Sequence, residues 1–255
     1  MKTFSRFRIF FRSLFLQSAW NFERIQNIGF LYCVFPALRM IYKNKPELLH
    51  NAVKRHSGFF NTHPYMANIL IGLTIALEEQ VAGGDKSVSR EEIEVFKSNM
   101  AGPLAAIGDA FFWATWRPFC ALLVVAVVFL YGGADDVVIK VSLGVFLLVY
   151  NSVHIGVRYM GLKEGYGMKT KIVKKIATFK VQKLVDNVRI AGIVIICVIV
   201  VKYFLFDLSG AAERGFFALA LAAGIFLDVK KISVTFLFYG LIIISVLYAY
   251  AGKNF

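Results

Sequence analysis

The run GPLAAIGDAFFWATWRP, residues 102–118, carries one acid, Asp109, and one base, Arg117, in a stretch otherwise apolar and aromatic. In a regular helix Asp109, Trp113 and Arg117 share one stripe. The two charges then stand ~12 Å apart, too far to pair. A carboxylate among apolar residues is either an acceptor for hydroxyl donors or half of a buried ion pair or helix cap. Arg117 reads as a structural or partner contact that snorkels toward an interface. Gly102 and Gly108 permit close backbone approach before the acid. Phe111, Phe112, Trp113 and Trp116 offer faces for ring stacking, or packing and an interfacial belt. A second polar group lies in FFNTHPYM: Asn61 is a helix cap or a ligand contact, and His63 precedes Pro64 where its ring can hydrogen-bond. Glu78 and Glu79 close the following apolar segment, where carboxylates oppose the helix dipole and need specific partners.

Several chemistries are excluded. His56, His63, Glu78 and Glu79 have no metalloprotease-like spacing, so no metal is expected. GGDKS resembles a phosphate loop, but Asp85 stands where that motif needs glycine. Cys33, Cys120 and Cys197 form no CxxC and read as packing residues. No nucleophile with its base can be identified, so the chain has no catalytic residue of its own and needs no cofactor.

The elements that position these residues belong to a membrane protein: 58% of the residues are hydrophobic and the mean hydropathy is +0.64. Apolar stretches cover 119–131, 137–157, 190–206, 216–227 and 232–250; the second and last suit a bilayer span, and the first and fourth are short. All five prolines and all three tryptophans precede residue 120. Broken backbone at membrane depth survives only where protein or a cavity satisfies it, so the polar pathway belongs to the first half. The expected fold is all-α and integral to the membrane, with broken or re-entrant helices first and several transmembrane helices after. Residues 1–20 read as an amphipathic interfacial helix on anionic lipid, 21–118 as a polar-punctuated region for substrate pathway and partner contact, and 119–255 as transmembrane helices with a basic loop at 161–189.

Within the first half, Asn21 is expected to cap a helix that Pro36 disturbs, and Pro46 to open another. Asn61 or Thr62 should cap a third, with Pro64 in its first turn. Ser89 and Glu92 form a capping box, and Pro118 should bend or stop the helix at Arg117. The formal charge of +13 clusters beside apolar spans rather than in a nucleic-acid motif, so no nucleic acid is expected. Eight Lys or Arg against Glu164 and Asp186 between 161 and 189 place that loop in the cytoplasm.

SAWNFERIQNIGFLY, FFNTHPYMANILIG with ALEE, KSNMAGPLAAIGDAFFWATWRP and VRYMGLKEGYGMKT follow one another in the chain. In this order they resemble the IID membrane component of the mannose, fructose and sorbose family of sugar phosphotransferase systems, over residues 13–170. The resemblance implies a subunit of the inner membrane that pairs with a IIC membrane subunit to move a hexose. Cytoplasmic IIA and IIB proteins relay a phosphoryl group to the arriving sugar, and the IIC–IID pairs assemble as trimers. On that reading Asp109, His63, Asn61, Glu79 and Trp113 contact sugar, while Arg117, Glu78, Gly102 and Gly108 serve structure or partner contact. The chain departs from the family at Ser57 and Gly58, where RHLEFF is usual, and at Ala110 and Ala114 in GDSLFWGTLRP. The competing expectation is a sensor or scaffold that keeps the fold without transport.

Overall fold

The computed structural model describes residues 3–85, 87–131, 135–208, 210–229 and, beyond these, 233, 235–236, 239–240, 242–243 and 246. The chain divides into a unit reaching Ile195 and a second beginning at Ile196. Among the described residues every regular element is helical: α1 (Thr3–Ser13), α2 (Asn27–Ile41), α3 (Pro46–His56), α4 (Ala67–Ala82), α5 (Arg90–Gly108), a π-helix (Asp109–Trp116), α6 (Arg117–Leu130), α7 (Asp136–Met168), α8 (Ile172–Thr178), α9 (Val181–Lys202) and α10 (Ala211–Val229). The protein is all-α, and three described helices are long and apolar enough to span a bilayer: Arg90–Leu130, Asp136–Thr178 and Val181–Asp207.

The first unit is organised around α4, in which every residue from Ala67 to Glu78 is buried. A helix apolar on all sides must be enclosed by others, and α7, α2 and α5 enclose this one. Glycines set how closely α7 approaches. A Cβ on Gly165 would lie 2.1 Å from the Ile69 carbonyl oxygen, one on Gly72 2.4 Å from that of Leu162, and one on Gly161 2.9 Å from the Ile69 side chain. The Gly161–Gly165 spacing is the small-xxx-small pattern of membrane helix pairs. Asn68 adds polar bonds at the same seam, donating to Ser13 Oγ (2.9 Å) and to the Arg158 carbonyl (3.0 Å).

Local expectations divide by what backs them. Pro46 opens α3, and Ser89 with Glu92 forms both halves of a capping box on α5. Asn21, by contrast, caps a turn by accepting from Arg24 N (2.8 Å), and α2 starts only at Asn27. Neither Asn61 nor Thr62 caps α4, which begins at Ala67 after a turn closed on the His63 carbonyl. Pro36 lies inside α2 without ending it. The N-terminal helix ends at Ser13, short of residue 20; Ile9, Phe10, Ser13 and Leu16 face the core while Phe7, Phe11 and Phe15 stay exposed.

Arg117 and Pro118 do not stop the helix. Arg117 keeps α-helical angles, and its N–H bonds back five residues to the Phe112 carbonyl. Thr115 Oγ1 makes the same five-residue step to the Ala110 carbonyl (2.8 Å). Pro118 has no N–H to return to the α register, so the ladder widens into a π-helix and continues. The apolar stretch at 119–131 is thereby the end of a 41-residue helix rather than a short separate segment.

The basic segment 161–189 is helical over most of its length, formed by the end of α7, by α8 and by the start of α9. Its side assignment can be tested directly. A single cysteine at Lys174, which is exposed, in a chain lacking Cys33, Cys120 and Cys197, is expected to react with an impermeant thiol reagent only after cells are opened. Labelling of intact cells would reverse the orientation. Cys33 and Cys120 are buried as packing residues, whereas Cys197 is exposed. Most of the apolar stretch at 232–250 lies outside the described residues.

Candidate functional site

The FFNTHPYM loop and Ser57 ahead of it are held in place by side chains at the start of α2. Gln26 Nε2 donates to the Thr62 carbonyl (2.9 Å), and Gln26 Oε1 accepts from Thr62 N (3.1 Å). Asn27 Nδ2 donates to the Ser57 carbonyl (2.9 Å). Gln26 N bonds to the Phe60 carbonyl (2.9 Å), an approach made by a left-handed turn at Ile25, φ 58°. A β-branched residue adopts that angle only where its surroundings impose it. On the other side Thr62 Oγ1 donates to the Ala101 carbonyl on α5 (2.8 Å). The loop is thus bonded to two helices before His63 is reached.

His63 is buried and stacked on Phe112, with ring centroids 5.3 Å apart and planes 15° apart. Trp113 and Tyr65 meet it edge-on at 5.4 and 4.9 Å. Gly108 makes this possible, since a Cβ there would lie 2.3 Å from His63 Cγ. Burial, helped by the Arg158 charge, lowers the His63 pKa to about 4, so the ring is neutral near pH 7. Tyr65 N donates to Nδ1 (3.3 Å), which assigns the proton to Nε2, a buried donor with no acceptor in the described chain. The carboxylate of Asp109 follows Gly108 directly. Asp109 is exposed, Trp113 is 51% exposed and Arg117 is exposed. Neither Asp109 nor Arg117 has an ion-pair partner among the described residues.

The structure therefore brings His63, Gly108, Asp109 and Trp113 to one place and separates the other candidates. Asn61 is exposed at the near end of the loop. Gly102 faces open space, so no close approach depends on it. Glu79 lies at the far end of α4, ~18 Å along the helix from Ala67, and accepts a hydrogen bond from Tyr166. Beside it Glu78 is fully buried and accepts from Tyr42 (2.7 Å), Arg55 (2.7 Å) and His56 Nε2 (2.7 Å). Burial would raise the Glu78 pKa, but these three donors, His56 foremost, bring it down to about 2. Burial lowers that of His56, leaving a buried Glu78–Arg55 ion pair with two neutral donors. That group holds α4 to α3 and to the end of α2, which is structural work.

Reading the sequence missed the partners of the His63 group on α7. Tyr65 OH pairs with Tyr150 OH (2.8 Å), its ring stacks on His154 at 4.5 Å, and the Arg158 guanidinium lies 4.9 Å over it. His154 Nε2 bonds to Asn151 Oδ1 (2.7 Å). Tyr150, His154 and Arg158 recur every fourth residue in a largely apolar span, a spacing legible in the sequence. Lys97 was missed for another reason. It is buried with Nζ 5.5 Å over the Phe30 ring, and a lone lysine in REEIEVFKSNM reads as a solvated charge.

Among the described residues no three His, Cys, Asp or Glu side chains converge as for a metal. The arrangement presents the exposed Trp113 ring and a free carboxylate, backed by the buried neutral His63: a surface able to bind a polyhydroxylated ring or a partner helix.

Residues 2–221 match the family described as the mannose/fructose/sorbose family IID component of the phosphotransferase system. The chain belongs to that family. It is 36% identical over 197 residues to the mannose-specific IID component of Escherichia coli K12, a match covering 76% of this chain and 66% of that one, slightly under two thirds of the relative's length. It is 33% identical over 209 residues to the fructose permease IID component of Bacillus subtilis 168, covering 82% and 72%. The sorbose-specific component of Lacticaseibacillus casei is 32% identical over 199 residues, covering 77% and 67%. Among solved structures the chain resembles a membrane protein at TM-score 0.74 and 29% identity, covering 98% of this chain and 97% of that one. It also resembles the mannose transporter ManYZ, solved by cryo-electron microscopy with microcin E492, at TM-score 0.60 and 28% identity, covering 99% and 97%. This IID-family chain is an integral protein of the inner membrane.

Proposed function

We propose that this chain is the IID subunit of a hexose permease, acting with a IIC membrane subunit to carry sugar that is phosphorylated as it enters. The phosphoryl group comes from cytoplasmic IIB, charged through IIA, and the IIC–IID pairs assemble as trimers. One observation carries the reading: Asp109 and Trp113 stand exposed beside the buried His63, near the middle of the Arg90–Leu130 helix, with no counter-charge for Asp109 in the described chain. A carboxylate left open in a membrane helix needs a polar counterpart, and in this family the available ones are the substrate and the IIC subunit. The exposed Trp113 ring supplies stacking for a pyranose ring, and Asp109 supplies an acceptor for its hydroxyls. The sugar class is a hexose; relatives named for mannose, fructose and sorbose define the panel to try.

The test is uptake and binding of that labelled panel by a deletion strain carrying this chain with IIC. Asp109→Asn keeps the shape but loses a charge-assisted contact of ~1.5 to 3 kcal/mol, so sugar affinity should fall about tenfold to a hundredfold. Arg117→Lys keeps the charge but loses the planar fork, so co-purification with IIC should suffer before affinity does. Normal sugar binding by Asp109→Asn, together with poor accumulation in the membrane, makes Asp109 a partner contact instead.

A further inference from the structure

Between α1 and α2 lies a cavity of about 550 Å³ lined by Arg8 and Arg12 from α1 and by Phe35, Pro36, Arg39, Met40 and Lys43 from α2 and the turn after it. Arg8 and Arg12 are one helical turn apart, as are Phe35 and Arg39, so two stripes face each other across the groove, with Lys43 in the turn beyond α2. Arg12 is fixed there by donating to the Tyr32 carbonyl (2.8 Å), with its guanidinium 4.2 Å over the Tyr32 ring. Arg8, Arg39 and Lys43 have no carboxylate partner among the described residues. Like charges brought together without a counter-ion repel, and such a cluster is relieved by an anion. The remaining walls are apolar, and Phe35 and Met40 are exposed at 36% and 60%. A small inorganic anion would satisfy the cations and leave those walls wet; an amphiphile satisfies both.

The position of the groove selects its occupant. α1 is bound to α7 where Arg158 Nη1 donates to the Ser13 carbonyl (2.6 Å) and where Phe10 meets Tyr159 at 6.2 Å. That part of α7 adjoins the lysine-rich 161–189 segment, the cytoplasmic end by its charge. Outside the groove, Phe7, Phe11 and Phe15 are exposed at 50%, 58% and 58%, an apolar strip suited to the acyl boundary. We propose that the groove binds the phosphate-bearing headgroup of an anionic phospholipid of the cytoplasmic leaflet, with the phosphate on Arg8, Arg39 and Lys43 and the acyl chains along Phe35 and Met40. Arg12 holds the groove open rather than taking the main share of the phosphate. A lipid seated there ties α1 to α2 at the rim of the protein, independently of which sugar is carried.

The full chain, co-expressed with IIC and purified in mild detergent, is compared by native mass spectrometry during titration with phosphatidylglycerol or phosphatidylcholine. The wild type is expected to retain phosphatidylglycerol selectively. The triple variant Arg8→Ala, Arg39→Ala, Lys43→Ala should weaken this on the order of a hundredfold, from about fivefold per cation. Arg8→Lys with Arg39→Lys should stay within a few-fold of wild type. If the triple variant does not accumulate, Lys43→Glu is read in its place and should weaken retention at least tenfold. Removal of three exposed cations elsewhere, Lys171→Ala, Lys174→Ala and Lys183→Ala, should leave retention unchanged. An equal loss in that control reduces the effect to diffuse surface charge and overturns the site. Displacement of the lipid by inorganic phosphate or glycerol 3-phosphate at similar concentration makes it a soluble-phosphate site and overturns the lipid assignment. Unchanged lipid retention in the triple variant, with phosphoryl transfer from IIB lost, makes it a protein-docking surface and overturns it equally.

Discussion

Glu78→Gln is expected to destabilise the folded protein by about 3–5 kcal/mol, the usual cost of stranding one partner of a buried ion pair. Glu78 has no exposed surface and receives hydrogen bonds from Tyr42, Arg55 and His56. The amide keeps the shape but not the charge, leaving the Arg55 guanidinium, with 12% of its side chain exposed, uncompensated. The amide nitrogen also turns a donor toward one of the existing donors. The measurement is the melting midpoint and membrane yield of the co-expressed complex, and an unchanged midpoint refutes the assignment. Replacing both partners, Glu78→Leu with Arg55→Met, should recover part of the loss, because two apolar groups strand no charge. The same cluster predicts acid sensitivity. The His56 pKa is lowered from 6.5, so below pH 6.5 the unfolded chain takes up its proton first and stability begins to fall. The Glu78 pKa is lowered from 4.5 to about 2, so its contribution is complete above pH 4.5 and is lost as pH falls toward 2. In Glu78→Gln the second of these losses should vanish.

Gly165→Leu is expected to disrupt the packing of α4 against α7 severely. The side chain would begin 2.1 Å from the Ile69 carbonyl oxygen, inside a backbone that cannot step aside as a flexible side chain could. Overpacking of an ordinary core costs ~1 to 3 kcal/mol, and a backbone obstacle puts this site at or above the top of that range. The two helices must then part, breaking the Asn68 bonds to Ser13 and Arg158 as well. Gly167, two residues on, has nothing within 4 Å of a Cβ, so Gly167→Leu should accumulate normally. Comparing folded yield of the two variants isolates helix approach from helix propensity, since both lose a glycine from one helix. Equal yields would falsify the role given to the glycine seam.

What could be read from the sequence was whatever local chemistry decides. Ser89 and Glu92 three residues apart, Pro46 ahead of an apolar repeat, and the long apolar run at 137–157 each state their element without help from the rest of the chain. The THPYM motif and the run GPLAAIGDAFFW mark His63, Gly108, Asp109 and Trp113, which the structure brings together. Failures arose where distant groups compete for the same backbone. Thr62 has the residue type of a cap, but its hydroxyl is drawn to Ala101 and its backbone to Gln26. Pro118 biases Arg117 away from the α region and so reads as a bend or a stop; in the structure Arg117 keeps α-helical angles on a five-residue ladder, and the helix continues. Glu79 reads as a carboxylate in need of a specific partner, and its partner is Tyr166, at the opposite end of α4 from His63. Arg158 escaped notice since its partner, the Ser13 carbonyl, lies 145 residues away.

That last bond has a bearing on how the protein is made. Ser13 leaves the ribosome long before Arg158 is synthesised, and at ordinary rates of translation the interval is on the order of ten seconds. Throughout it the N-terminal helix lacks the arginine that ends its carbonyl row, while the spans that follow are already entering the bilayer. The first segment translated is thus held early by α2, as through Arg12 on the Tyr32 carbonyl, and is fastened to α7 only when that helix arrives.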